Sequence, residues 1–375
     1  MIEVILGIYG SDLHKLICNL IAENFSFILD IIFAALCFLV FLLALFKKNT
    51  PKRFFNIPVL MQILLLALLS ISLIHSHDEV SLFNYIRFLG GNILLFFSAL
   101  VICRKEKQVK KIWNIWIITS VILAAISVWF FFQGITWQSG QAAIIEGTGI
   151  RTGYFCAIGL IYLFVSSNLK IKYFLIPLFL FAVIVSASKG ALLLLIGTLF
   201  FVLPLIQVIN KKLKLKTFIS LIFVILIFLG LLIFILPKTG EGEVKEVAIW
   251  GNYVHSLSDR LDLTGEYIKL GLSHPIIGNG ISASYSLIER THSVILSLFV
   301  QIGIFGILFY LIFALNMFFI GFKLLKKTKN YNLALATFLI VLFTFLQGEI
   351  TLDVPGNRIF WFFSGILLAL YQNAD

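Results

Sequence analysis

The stretch Thr291-His-Ser-Val-Ile-Leu-Ser-Leu-Phe-Val-Gln-Ile-Gly303-Ile-Phe-Gly306 marks the passage from a polar segment into a long apolar run. Upstream of it lie Tyr253-Val-His-Ser-Leu-Ser-Asp-Arg260-Leu and His274-Pro-Ile-Ile-Gly-Asn-Gly280, which hold much of the chain's polar chemistry. The apolar run predicts a helix over roughly 292–320, long enough to cross about 30 Å of hydrocarbon. On one continuous helix, Gly303 lies about 20° and Gly306 about 40° from the azimuth of His292. That stripe of small residues predicts close approach by a neighbouring helix, which would hold the histidine in place.

Runs of the same kind recur along the chain. Hydrophobic residues make up 60% of it and charged residues 13%, with a mean hydropathy of +1.05. No soluble surface covers that much apolar side chain, so the composition predicts an all-α polytopic membrane protein, one integral membrane domain over residues 1–375. Eleven strong spans are expected, at roughly 26–46, 56–74, 82–102, 112–132, 152–167, 173–188, 190–209, 217–236, 292–320, 333–347 and 358–371. Residues 1–23 form a weaker apolar segment interrupted by Ser11, Asp12, His14 and Lys15, which brings the total to about twelve. The amino terminus lacks the basic region and small-residue cleavage site of a signal peptide. Cys18, Cys37, Cys103 and Cys156 are scattered without metal-ligand spacing and read as small hydrophobes.

The net charge of +11 reports topology. Most lysines and arginines fall in the short segments 47–53, 104–111, 170–172, 211–216 and 323–329, the pattern of loops on the cytoplasmic side, so no nucleic-acid partner is expected. Residues 237–291 then form a long periplasmic loop, far beyond what connection alone requires. Within it, residues 258–272 have the periodicity of an amphipathic helix, closed by Ser273-His274-Pro275 and a Gly278-Asn279-Gly280 turn.

Several side chains on the same predicted face bear chemistry. His292 opens a span, either as a base or as an interfacial residue. Lys189, in Ser186-Ala-Ser188-Lys-Gly190, starts a helix beside two hydroxyls; free N–H groups and a cation there suit an anion, and the alternative is a snorkelling lysine. Arg151 opens another span, while Arg260 and Arg290 lie in the long loop; together these cations suit a diphosphate, although each alone reads as a loop charge. Arg87 lies about a turn into its span, lining a cavity or snorkelling outward. His75-Ser-His77-Asp78-Glu79 is a rival site of metal-binding composition, or a solvated loop.

Four of these motifs, in their order along the chain, are similar to those of the O-antigen ligase and O-antigen polymerase superfamily of membrane glycosyltransferases. His292-Ser293, nine residues, Gly303, two residues and Gly306 resembles the ligase signature His-[Asn/Ser/Gln]-x9-Gly-x-x-Gly. Arg151-Thr-Gly-Tyr-Phe resembles Arg-x-x-Gly-x-Phe, and Ser186-Ala-Ser-Lys-Gly-Ala resembles Ser-x-Ser-Arg-Gly-Ala with lysine in place of arginine. Asp259-Arg260-Leu followed by His274-Pro-Ile-Ile-Gly-Asn-Gly280 resembles Ser-Arg-Leu followed by Pro-x-x-Gly-x-Gly. The resemblance covers roughly residues 140–371. It implies a GT-C-like membrane enzyme in the bacterial inner (cytoplasmic) membrane, with its active site facing the periplasm. An undecaprenyl-diphosphate-linked glycan would be the donor, and lipid A-core (ligase) or another lipid-linked glycan (O-antigen or exopolysaccharide polymerase) the acceptor. Transfer would be inverting and independent of metal or other cofactors. Arg151, Lys189 and Arg260 would hold the diphosphate, His292 would act as base, and Arg290 and Arg87 would be further contributors. A lipid-linked oligosaccharide flippase shares the span number and basic residues, and a peptidoglycan glycosyltransferase the architecture.

Overall fold

The computed structural model describes residue 39 and residues 56–76, 79–132, 148–165, 171–186, 188–210, 253–281, 283, 293–351 and 357–374. Every regular element among them is helical. In chain order these are α1 (Ile57–His75), α2 (Glu79–Phe88) running through a π-helical stretch (Leu89–Leu94) into α3 (Leu95–Ile102), α4 (Glu106–Phe132), α5 (Thr148–Val165) and α6 (Lys172–Val185). Next come α7 (Lys189–Gly197), continued through a second π-helical stretch (Thr198–Val202) into α8 (Leu203–Ile209), then α9 (Tyr253–Ser273), α10 (Val294–Lys327), α11 (Tyr331–Thr351) and α12 (Arg358–Gln372). Among the described residues, six helical runs are long and apolar enough to cross a membrane; Arg151–Val165, Lys172–Val185 and Arg358–Gln372 are shorter apolar helices. The protein is a polytopic helical membrane protein. The expected spans near 26–46 (apart from residue 39) and 217–236, and the weak amino-terminal segment, lie outside the described residues.

The helices run between a basic end and an opposite end. At the basic end, Asn330 donates its side-chain amide to Glu106 Oε2 at 3.0 Å, joining the start of α4 to the turn before α11. Nearby, Lys327 Nζ sits 5.5 Å from the Tyr371 ring centroid, so α10 and α12 finish where α4 and α11 begin. The outer faces are apolar: α4 exposes Ile115, Ile118, Ile122 and Trp129, and α10 exposes Ile304, Phe305, Leu308, Leu315 and Phe319. Such stripes are stable against lipid and not against water.

α12 forms the middle of the bundle. Gly365 has no Cβ, and the space that one would fill is taken by the Phe96 carbonyl and Ala99 of α3, the close backbone approach that small residues permit between membrane helices. On its other side Trp361 packs against Phe313 at 4.8 Å and Tyr310 at 5.9 Å between centroids. Arg358, at the start of α12, lies across Gly91 of the π-helical stretch, where a Cβ would come within 2.8 Å of its Nε.

α10 is not the continuous helix that its hydropathy predicts. Gly303 has φ 70° and ψ −161°, a conformation open essentially to glycine alone. The neighbours of α10 show how far the break redirects it. Gly321 meets Phe338, Tyr310 stacks on Phe345 at 5.8 Å, and the Ser293 hydroxyl reaches Glu349 at 2.7 Å. A straight helix over residues 293–321 would extend about 42 Å, whereas residues 338–349 of α11 extend only about 17 Å. The two can meet at both places only because residues 294–302 fold across the end of the bundle. Gly303 therefore marks a bend, not a helix-packing surface. The atoms nearest to a Cβ on Gly306 belong to Ile302 and Leu298 of its own segment, and those nearest to one on Gly303 belong to Ile276 and Pro275.

Candidate functional site

A bend frees backbone groups that a continuous helix would pair, and each must find another partner. Here the turn after α9 supplies them. Asn279 N–H donates to the Val300 carbonyl at 2.8 Å, Gly280 N–H donates to the Gln301 carbonyl at 3.2 Å, and Ile304 N–H donates to the Pro275 carbonyl at 2.9 Å. Ser72 Oγ of α1 adds a bond to the Gln301 carbonyl at 3.1 Å. The turn is itself braced: Asn279 Nδ2 donates to the Leu270 carbonyl at 2.8 Å, and Asn279 Oδ1 accepts from Ser273 Oγ at 2.8 Å. Gly278 and Gly280 have positive φ, and a Cβ on Gly278 would strike the Gln301 backbone. The Pro-x-x-Gly-x-Gly run and the first glycine of the His-x9-Gly spacing are thus two halves of one joint.

At the other end of the 294–302 segment, Ser293 caps the helix. Its Oγ accepts from Leu296 N–H at 3.2 Å and donates to Glu349 Oε2 at 2.7 Å, and the same carboxylate oxygen accepts from Ile295 N–H at 3.2 Å. Tyr310 of α10 faces this carboxylate, and Asn357, the residue before α12, faces Tyr310. Asn357 is 1% exposed, and its side chain abuts Gly348, where a Cβ would collide with it. Glu349 escapes sequence reading because it sits at the end of an apolar run. Its one signal is a lone carboxylate at membrane depth, a functional hypothesis by default.

The two cation motifs also meet. Gly153 of α5 lies against the turn between α6 and α7: a Cβ there would come within 2.5 Å of Ser186 Oγ and 2.7 Å of Ser188 Cβ. Arg151, two residues before that contact, is exposed in the first turn of α5. Lys189 is the first residue of α7, and Ser188 occupies the N-cap position without bonding the helix. The buried Ser188 hydroxyl makes no hydrogen bond, which leaves the first-turn N–H groups of α7 without that cap. Tyr154, next to Gly153, packs against Phe343 of α11 at 5.9 Å, so the helix that carries Glu349 also packs against α5 beside that contact.

The other predicted positions are less drawn together. Arg260 lies within α9, which packs along α10 at Gly271, where a Cβ would meet the Phe299 ring. Arg87, in the last turn of α2, is half-buried with its guanidinium carbon 5.1 Å from the Phe83 ring. His292 and Arg290 lie outside the described residues, as do His77 and Asp78 of the rival site.

Among the described residues, six of the protein's helical runs are long and apolar enough to cross a membrane, and its polar motifs meet in two pairs, Gly153 with Ser186 and Ser188, and the turn after α9 with the bend at Gly303. Residues 173–311, from α6 through the bend in α10, match the family model described as O-Antigen ligase. The match supports the O-antigen ligase and polymerase superfamily and a glycosyltransferase-like membrane enzyme, whose substrates are in general a lipid-linked glycan and an acceptor. No curated protein matches the chain.

Proposed function

We propose that this protein transfers an O-antigen-type glycan from undecaprenyl diphosphate to an acceptor sugar hydroxyl, lipid A-core as in an O-antigen ligase. The reaction inverts the anomeric centre and needs no metal. The observation that carries this reading is the contact of Gly153 with Ser186 and Ser188, which brings the Arg151 helix against the start of the Lys189 helix. A guanidinium, an ammonium and uncapped helix N–H groups at one place suit a diphosphate, with Arg260 as the third cation. A diphosphate so neutralised is a good leaving group, and what remains is to remove a proton from the attacking hydroxyl. His292, one residue before the cap of α10, is assigned that role, worth about 10² to 10⁴ in rate. Arg290 and Arg87 are further contributors to the field around the donor.

The accompanying architecture has twelve spans, eleven strong and one weak at the amino terminus, and is GT-C-like. The basic end faces the cytoplasm of the inner membrane, and residues 237–291 face the periplasm. The test is purified protein with radiolabelled lipid-linked glycan in EDTA, given lipid A-core in one arm and only further lipid-linked glycan in the other. Transfer to lipid A-core supports the ligase reading. Transfer only between lipid-linked glycans makes it a polymerase, and movement of the donor across vesicles without transfer makes it a flippase.

A further inference from the structure

We propose that Glu349 is a positioning residue for this reaction, fixing the turn that presents His292; the inference rests on the base role given to His292 above. Glu349 occupies the last turn of α11, where the helix's own carbonyl dipoles repel a carboxylate. Nothing in α11 favours an acid at that place. The start of α10 does, because a negative charge there meets the positive end of a helix and its unpaired N–H groups.

The bonds are specific. Ser293 Oγ uses both of its capacities, accepting from Leu296 N–H and donating to Glu349 Oε2. Ile295 N–H, which Ser293 does not reach, donates to the same oxygen. Two of the orphan donors of the first turn are thereby filled, one by the cap and one by the acid. Ser293 itself is extended, with φ −141° and ψ 127°, and its carbonyl accepts from Ser297 N–H at 3.0 Å. The start of α10 at Ser293, the residue that follows His292 in the sequence, is therefore fixed on three sides. The far end of the same short segment is clamped by the Asn279–Gly280 turn, so Glu349 and the turn hold it from opposite ends. Tyr310, buried beside the carboxylate, limits where it can move.

The experiment compares Glu349→Ala, Glu349→Gln and His292→Gln singly, and Glu349→Ala with His292→Gln together, in the radiolabelled transfer assay on the full chain. Misplacing a reacting group by about 1 Å costs up to about 10²-fold. Glu349→Ala is expected to lower kcat about 10- to 100-fold while the KM for donor stays within about twofold. Glu349→Gln, whose amide oxygen accepts both bonds, keeps kcat within about threefold. In the His292→Gln background, Glu349→Ala has no further effect, because it acts through the histidine. Ser293→Ala reads the same clasp with the acid left in place and gives the same kcat loss at unchanged KM. Parental kcat in Glu349→Ala or Ser293→Ala overturns the proposal. So does a loss confined to donor KM, or an equal further loss in the His292→Gln background. A fully active His292→Gln removes the base reading itself, whereas an inactive His292→Gln beside a parental Glu349→Ala removes this inference alone.

Discussion

Asn279 and Val300 are joined twice: the Asn279 backbone N–H donates to the Val300 carbonyl at 2.8 Å, and its side-chain amide approaches the same oxygen at 3.5 Å. A loop residue thus stands where the next turn of helix would have stood. The bend in α10 is stable because the turn after α9 satisfies it, and each half of the joint needs the other.

Gly303→Ala and Gly306→Ala should therefore differ. Alanine at Gly303 meets a backbone conformation costing about 1–3 kcal/mol, and its Cβ would strike the Ile276 and Pro275 carbonyls. Alanine at Gly306 enters ordinary helix and presses mainly on the Ile302 side chain. Thermal melts in detergent are expected to show the larger loss for Gly303→Ala. Equal losses would restore the continuous-helix reading of the stripe.

The side chain of Asn279 offers a cleaner probe, since it leaves backbone conformation alone. Asn279→Asp replaces the Nδ2 donor to the Leu270 carbonyl with an acceptor, leaving one oxygen facing another. A loss of about 1–3 kcal/mol is expected from the unmet and opposed polar groups, read as a fall in melting temperature. Asn279→Asp as stable as the parent would mean that the brace contributes nothing.

The contact between the two cation motifs predicts an activity loss without a charge change. Gly153→Ala puts a methyl group between Ser186 and Ser188 and forces α5 away from the α6–α7 turn. Transfer should drop about 10-fold or more, the scale set by misplaced binding groups, while membrane yield is retained. Adding Ser186→Ala and Ser188→Gly, which clear the space, should recover part of it. Unchanged transfer in Gly153→Ala would separate Arg151 from Lys189 functionally.

Much of this fold is legible in the sequence, and the reasons are physical. Apolar runs of membrane length locate the spans near 56–74, 82–102 and 190–209 because lipid demands paired backbone and apolar side chains together. The amphipathic period over 258–272 locates α9, although the helix begins earlier, at Tyr253. What escapes is where hydropathy is blind. Residues on both sides of Gly303 are equally apolar, so a bend there leaves no trace except the glycine itself. The convergence of Gly153 on Ser188, and of Glu349 on Ser293, joins positions far apart in the chain, and local pattern carries no information about such pairs.

The lysine and arginine distribution predicts the proposed sidedness. In a background without native cysteines, Ser256→Cys should react with an impermeant thiol reagent in intact spheroplasts, and Lys212→Cys only after lysis. The reverse pattern would turn the molecule over and put its paired motifs in the cytoplasm.

The most direct measurement is transfer of radiolabelled glycan from undecaprenyl diphosphate to lipid A-core by purified protein in EDTA, comparing the parent with Lys189→Ala and Lys189→Arg. Charge-assisted contacts to phosphate are among the stronger hydrogen bonds. The expected result is metal-free transfer by the parent, loss in the alanine variant with the protein still inserted, and retention or gain in the arginine variant, whose planar fork suits phosphate better. Full turnover in Lys189→Ala would contradict the cation-held diphosphate on which the account depends.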